Sequence, residues 1–252
     1  MMKLLIYLSI FLINLSCGTS DLGLAGTTPP SHAIFDSLLK KHVSELGKVD
    51  YKGFMADSEK FDTYLTLLST NPPDRKTWSD EEQLVYWINA YNAFTIKLIM
   101  NHYPVKSIRD IGPKLSIPLV NTVWHLEFFT IGGKKASLDE IEHKILRKEF
   151  EEPRIHFAIN CASISCPQLL NRAYTVENLE AQLEQAAKNF INDAKHNILE
   201  ANRAELSSIF LWFKSDFTRK GSLIDYINQY ANVKINKGAK ISHIKYNWLL
   251  NE

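Results

Sequence analysis

Leu84-Val85-Tyr86-Trp87-Ile88-Asn89-Ala90-Tyr91-Asn92-Ala93-Phe94 is apolar almost all the way round a helical wheel. A helix that shows no polar face lies inside a domain rather than on it. Ser79 or Asp80 is a natural N-cap for this helix. Glu81 and Glu82 fall in the first turn, where the helix dipole favours acids, and Pro104 lies just past His102 to end it. The reading is therefore one long buried helix from about Asp80 to His102, with the rest of the domain wrapped around it. Asn89 and Asn92 share a stripe with Val85, Ile96 and Ile99. Two amides on a buried stripe either tie neighbouring backbone together or face a pocket.

Upstream of that helix, Ser31 to Gly47 and Ser58 to Leu68 read as amphipathic helices, with a brief extended piece at Val49-Asp50-Tyr51. Downstream, Val120 to Ile131 has strand chemistry, places His125 on an exposed strand position, and ends in a hairpin turn at Gly132-Gly133. Ser137-Leu138-Asp139-Glu140 has capping-box spacing and starts a helix running to about Glu149, on which Glu140, His143 and Arg147 are neighbours. Arg154 to Asn160 reads as a strand leading into Cys161-Ala162-Ser163-Ile164-Ser165-Cys166-Pro167. A helix from Thr175 or Glu177 to Ala194 follows. Then come a strand and turn over Asn197 to Glu205, a strand or short helix over Leu206 to Phe213, a short helix over Ser222 to Tyr230 and a last strand over Ile241 to Leu249. With no internal repeat, this order predicts an α+β protein: one globular domain over 31–252, its buried central helix packed on a small, mostly antiparallel sheet.

Composition narrows the function classes. The 252 residues carry a formal net charge of +1, so no basic field for nucleic acid is expected. Lys3 followed by an apolar run from Leu4 to Leu15 reads as a secretory signal, too short to be a spanning helix. The run ends at Leu15-Ser16-Cys17-Gly18, which suggests a lipoprotein cleavage site with Cys17 as the lipidated residue, the alternatives being simple secretion and an uncleaved anchor. Residues 1–17 are then a signal peptide and 18–30 a flexible tether. The expected location is the cell envelope, periplasmic or outer-membrane, with the membrane reached through the lipid anchor and an unidentified small-molecule or peptide ligand.

With Cys17 assigned to the anchor, Cys161 and Cys166 are left in the folded part. An oxidising exterior favours a disulfide between them. The alternatives are a catalytic or redox thiol, two buried free cysteines, or zinc, for which a second ligand pair is missing. If Cys161 is a nucleophile, His143 and His156 are the candidate bases and Asn92 and Asn160 the polarising donors. Regular strand alternation would put His156 on the face opposite Cys161. Asn89, Tyr91, Asn160, Ser163 and Arg147 are candidate binding residues. The chain has no G-x-S-x-G, no phosphate loop and no H-E-x-x-H, and no cofactor or metal is expected.

Three of these segments together carry a family resemblance: Trp87-Ile88-Asn89-Ala90-Tyr91-Asn92-Ala93, Ser137 to His143 with Leu146-Arg147, and His156 to Ser163 with Ser165-Cys166-Pro167. In order and spacing they resemble the family called domain of unknown function number 547. Leu206 to Trp212 with Asp216-Phe217, and Tyr246-Asn247-Trp248 with Leu250-Asn251, look like its closing motifs, Asn247 standing where an aspartate is expected. The resemblance covers about residue 49 onward and brings no reaction with it. It implies that the Asn-rich helix, the His143 helix and the Cys161 loop belong together. A buried helix followed by strands carrying a histidine also resembles papain- and transglutaminase-like folds, but there the nucleophilic cysteine starts the helix, and this helix has none. Two functions follow as expectations: an exported, membrane-anchored lipoprotein with a site built from these three segments, or a thiol-dependent hydrolase or transferase.

Overall fold

The structure, a computed structural model, describes residues 28–112 and 122–252. The expected signal peptide, the Cys17 lipidation site, most of the tether and the start of the expected Val120 strand lie outside the described residues. Among the described residues, no helix is long and apolar enough to cross a membrane.

Three helices precede the central one: α1 (Ala33–His42), α2 (Tyr51–Ala56) and α3 (Ser58–Thr70). The central helix is α4 (Asp80–His102), with the boundaries its caps dictate. Ser79 Oγ accepts from Glu82 N–H and the Glu82 carboxylate accepts from Ser79 N–H, which satisfies both orphan donors of a capping box. From Gln83 to Met100 nearly every side chain is buried, and α4 packs chiefly on α2, α3 and the His143 helix. Each buried Leu, Ile or Phe contributes roughly 1.5–3 kcal/mol, so this helix anchors the larger of two apolar clusters.

A hairpin of β1 (Phe129–Ile131) and β2 (Lys134–Ala136) turns at Gly132 and Gly133, with φ of 58° and 75°. Two consecutive positive φ angles make the two-residue turn that matches strand twist. The residues expected to form the earlier part of that strand do not. Val123–His125 is a single 3₁₀ turn in which the Thr122 backbone N–H donates to His125 Nδ1. A local cap therefore overrides β propensity there, and His125 is not a strand residue.

The helix opened by Ser137 Oγ, which accepts from Glu140 N–H, is widened over Glu140–Leu146 into a π-helix before ending in α5 (Arg147–Glu149). Such insertions recur at functional sites.

The expected strand over Arg154 to Asn160 is instead α6 (Ile155–Ala158). The Glu152 carboxylate accepts from Arg154 N–H, and Ile159 N–H closes the turn on the Ile155 carbonyl. Ile155, Phe157, Ala158 and Ile159 are all buried, so this short run has two buried faces and no alternation to distinguish strand from helix.

After α7 (Leu179–Asn192), β3 (Ile198–Glu200) pairs antiparallel with β4 (Arg203–Ser207), and β4 pairs parallel with a later strand. Between them lie α8 (Ile209–Trp212), α9 (Lys214–Phe217) and α10 (Leu223–Tyr230), the last opened by Ser222 through its own capping box. That later strand, β5 (Lys240–Ile244), is shorter than expected. The fold is α+β, mostly helical, with one two-stranded and one three-stranded sheet. Phe157, Phe190, Phe210 and Phe217 centre the smaller apolar cluster.

The segment after β5 crosses back over the domain. Ser165 N–H donates to Asn247 O at 3.2 Å, Ile164 N–H to Leu249 O at 2.8 Å, Leu250 N–H to Lys106 O at 3.0 Å and Val49 N–H to Asn251 O at 2.9 Å. It thereby stitches the α1–α2 junction, the end of α4 and the cysteine loop together.

Candidate functional site

Asn160 holds the cysteine loop. Its amide donates to Pro167 O at 2.7 Å, and its Oδ1 accepts from Ala162 N–H at 2.7 Å and from Asn251 Nδ2 at 3.2 Å. The chain turns sharply at Ala162, whose φ is 59°. A left-handed conformation costs a Cβ-bearing residue about 1–2 kcal/mol, and the Asn160 bonds offset it. Cys161 and Cys166 are joined by a disulfide across this turn. Behind the loop, Asn92 bridges α4 to it, donating to Ala158 O at 3.0 Å and accepting from Asn160 N–H at 2.8 Å. Asn89 does the same for Tyr174, through both its carbonyl and its N–H. Both amides tie backbone, and neither lines the cavity shared by the cysteine loop and the His143 helix, the main cavity of the site though not the most voluminous in the molecule.

That cavity has a volume of about 510 Å³. His143, His156, Arg147, Tyr91, Cys161 and Cys166 all line it. Because α6 is a helical turn, the expectation that His156 faces away from Cys161 does not hold. Asn160 and Ser163 line a second cavity, on the other side of the loop, of about 240 Å³.

The polar side of the main cavity is organised by Asp216, which the fold presents from α9. Arg147 donates to it from Nε at 2.6 Å and from Nη2 at 3.1 Å, and His156 Nε2 lies 2.8 Å away. Burial pushes the Asp216 carboxyl up, but the bonds from His156 and Arg147 outweigh it and hold the group well below the usual carboxylate range. Burial pushes His156 down, against the pull of Asp216, so its ring is neutral. An ionised carboxylate only accepts, so the Nε2 proton of His156 points at Asp216. The His156 ring stacks on Phe213 at 4.0 Å, and the Arg147 guanidinium lies over the same ring at 4.9 Å.

Arg147 also fixes His143, with Nη1 2.7 Å from Nδ1. Arginine cannot accept, so Nδ1 is the bare nitrogen and Nε2 carries the proton. That Nε2–H faces Asp139 Oδ1 at 3.7 Å, and His125 Nε2 faces the same oxygen at 3.5 Å. Both contacts exceed the 2.7–3.2 Å of a good N–H···O bond, which leaves Asp139 able to accept from a ligand. The neighbour expected for His143, Glu140, instead lies 3.8 Å from Lys144. Glu142 is buried and accepts from Tyr91 Oη at 3.1 Å. Among the described residues, no cluster of three or more acids, histidines or cysteines is arranged to hold a metal ion.

The opposite side is aromatic. Trp212 stacks on Trp248 at 5.7 Å, Tyr246 lies 4.4 Å from Trp248, and Trp124 packs at 5.6 Å from Trp248. Sequence reasoning did not single out Asp139, Glu142, Trp124 or Phe213 for the site. The only advance signal for Asp216, Tyr246 and Trp248 was their place in the closing motifs.

No curated protein and no solved structure matches the chain. The three diagnostic segments fall within residues 75–191, whereas the closing motifs lie beyond them. Residues 75–191 match the family described as "Protein of unknown function, DUF547", and this part of the chain is a domain of that family.

Proposed function

We propose that this is an exported lipoprotein, anchored to the membrane through Cys17, whose main cavity binds a small cyclic ligand. The observation that carries the reading is the cavity's division into two faces. Trp124, Trp212, Tyr246 and Trp248 offer an aromatic wall of mostly tilted rings, and Asp139, with spare accepting capacity, stands on the polar edge. Its volume of about 510 Å³ falls within the range of small-molecule sites. A ligand with one apolar ring face and hydroxyl or ammonium donors at its edge satisfies both walls. The Cys161–Cys166 disulfide is the bond expected in an oxidising compartment, and in this form Cys161 is not free to attack a carbonyl.

Intrinsic tryptophan fluorescence tests the binding reading directly, with a panel of saccharides and cyclic amines as probes. A binder should shift the emission, and Trp248→Ala should weaken it by about tenfold or more, the scale of an aromatic hot spot. Saturable binding that Trp248→Ala and Asp139→Asn both leave unchanged would place the ligand elsewhere. The anchor has a separate test: Cys17→Ala should yield an unacylated protein that leaves the membrane fraction, and unchanged membrane attachment would refute it.

A further inference from the structure

The two sulfurs of the disulfide sit in unequal surroundings. Cys161 is partly exposed in the main cavity, whereas Cys166 is buried. Three donors surround Cys166 Sγ: the Cys161 backbone N–H at 3.0 Å, Tyr246 Oη at 3.2 Å and Ser163 Oγ at 3.3 Å. Tyr246 Oη also lies 3.3 Å from Cys161 Sγ, so the backbone N–H, the nearer serine and the deeper burial are what set Cys166 apart. Burial pushes the Tyr246 phenol up, so it keeps the proton it donates. Ser163 is fully buried, and its hydroxyl is placed among the two sulfurs and Tyr246 Oη, the latter at 3.1 Å. A disulfide sulfur is a weak acceptor, so two buried hydroxyls and an amide gain little from it as it stands. They gain far more from a thiolate, because hydrogen bonds to charged groups are the strong ones.

We propose that Cys161–Cys166 is a thiol–disulfide exchange centre for low-molecular-weight thiols, with Cys161 the sulfur attacked and Cys166 the leaving thiolate. An incoming thiolate attacks Cys161 Sγ from the cavity. A mixed disulfide forms as the Cys161–Cys166 bond breaks, and the electron pair leaves on Cys166, where Cys161 N–H, Ser163 and Tyr246 receive it. A second thiolate attacks the substrate sulfur of the mixed disulfide and releases Cys161 as a thiolate. Two thiolates have become one disulfide, and the protein disulfide has become two thiolates, which take up protons according to pH. The reverse sequence reduces a small disulfide, which is the oxidant that restores the pair.

Buffers of reduced and oxidised glutathione provide the test, applied to the full chain, with the state of each cysteine read by alkylation and peptide mass spectrometry and the fold followed by circular dichroism. The pair should exchange reversibly while the protein stays folded. Cys166→Ala should accumulate a glutathione adduct on Cys161. Tyr246→Phe should move the equilibrium toward the disulfide by about tenfold, the effect of losing one bond to a thiolate. Ser163→Ala should act in the same direction and serves if Tyr246→Phe does not fold. A pair that reduces only after unfolding, an adduct on Cys166 in Cys161→Ala that forms as fast as that on Cys161, or an equilibrium unmoved by either hydroxyl variant would overturn the proposal. Glutathione exchange needs no other ligand in the cavity, so the failure of this proposal and that of the binding reading are distinguishable.

Discussion

Asp216→Ala is expected to destabilise the domain by about 2–4 kcal/mol, less than the full cost of stranding one partner of a buried ion pair because Arg147 is only partly buried. Arg147 would keep its charge with two of its donors unanswered, and the His156 Nε2–H would lose its acceptor. Urea unfolding at pH 7 measures the loss. A change of less than about 1 kcal/mol would mean that water replaces the carboxylate and that the network is not a determinant of stability.

The same network, together with His32, which is buried separately beside Tyr64, sets an acid dependence. Burial depresses His156 and brings His32 to about 4, while both titrate near 6.5 when unfolded. Below about 6.5 the unfolded chain therefore binds protons that the folded chain refuses. Stability is full above that pH and falls as it drops, for His32 down to about 4. Asp216 adds a second, lower window: its contribution is present above the unfolded value of about 3.9 and is lost as pH falls below it. In Asp216→Asn the lower window should vanish and the His32 share of the upper one should persist.

Asn160→Ala is the second large effect expected. It strands the Pro167 carbonyl, the Ala162 N–H and the Asn251 amide together, all around one buried turn. Each unsatisfied buried group costs about 1–3 kcal/mol, so a total of about 3 kcal/mol or more follows. The left-handed turn at Ala162 would lose the bond that holds it, and the cysteine loop would loosen. Asn160→Asp keeps the acceptor for Ala162 and Asn251 but buries a carboxylate with one oxygen against the Pro167 carbonyl, so at pH 7 its penalty in urea unfolding should be at least as large as that of Asn160→Ala and should shrink as acid protonates the group. A pH-independent penalty for Asn160→Asp would mean that the donor bond to Pro167 contributes nothing.

How much of this was legible in the sequence depends on how local the cause is. The central helix was readable because its cap, its breaker and its apolar girth all lie within one stretch, and the Gly132-Gly133 turn for the same reason. The helical turn at Ile155–Ala158 was not, since a short apolar run buried on all sides has neither period. The π-widening at Glu140–Leu146 left no mark in spacing, and it supplies part of the cavity wall. The cavity itself was half legible. Cys161, His143, His156 and Arg147 carry chemistry that can be read residue by residue. Their partners lie far along the chain: Asp216 is 60 residues from His156, and Tyr246 is 85 from Cys161. Pairings at such range are decided by packing, which no local pattern encodes.

The crossing segment after β5 has a consequence for biogenesis. It supplies Tyr246 and Trp248 to the cavity and Asn251 to the cysteine loop, and it bonds to residues 49, 106, 164 and 165. A ribosome makes these residues after every other part of the site. The nascent chain can assemble α1 to α4 early, but its cavity lacks the Tyr246 and Trp248 part of its aromatic wall, and the cysteine loop its bond from Asn251, until these residues have emerged and packed back. If the chain is exported unfolded, as proposed, this order delays maturation of the site until residue 251 has crossed the membrane.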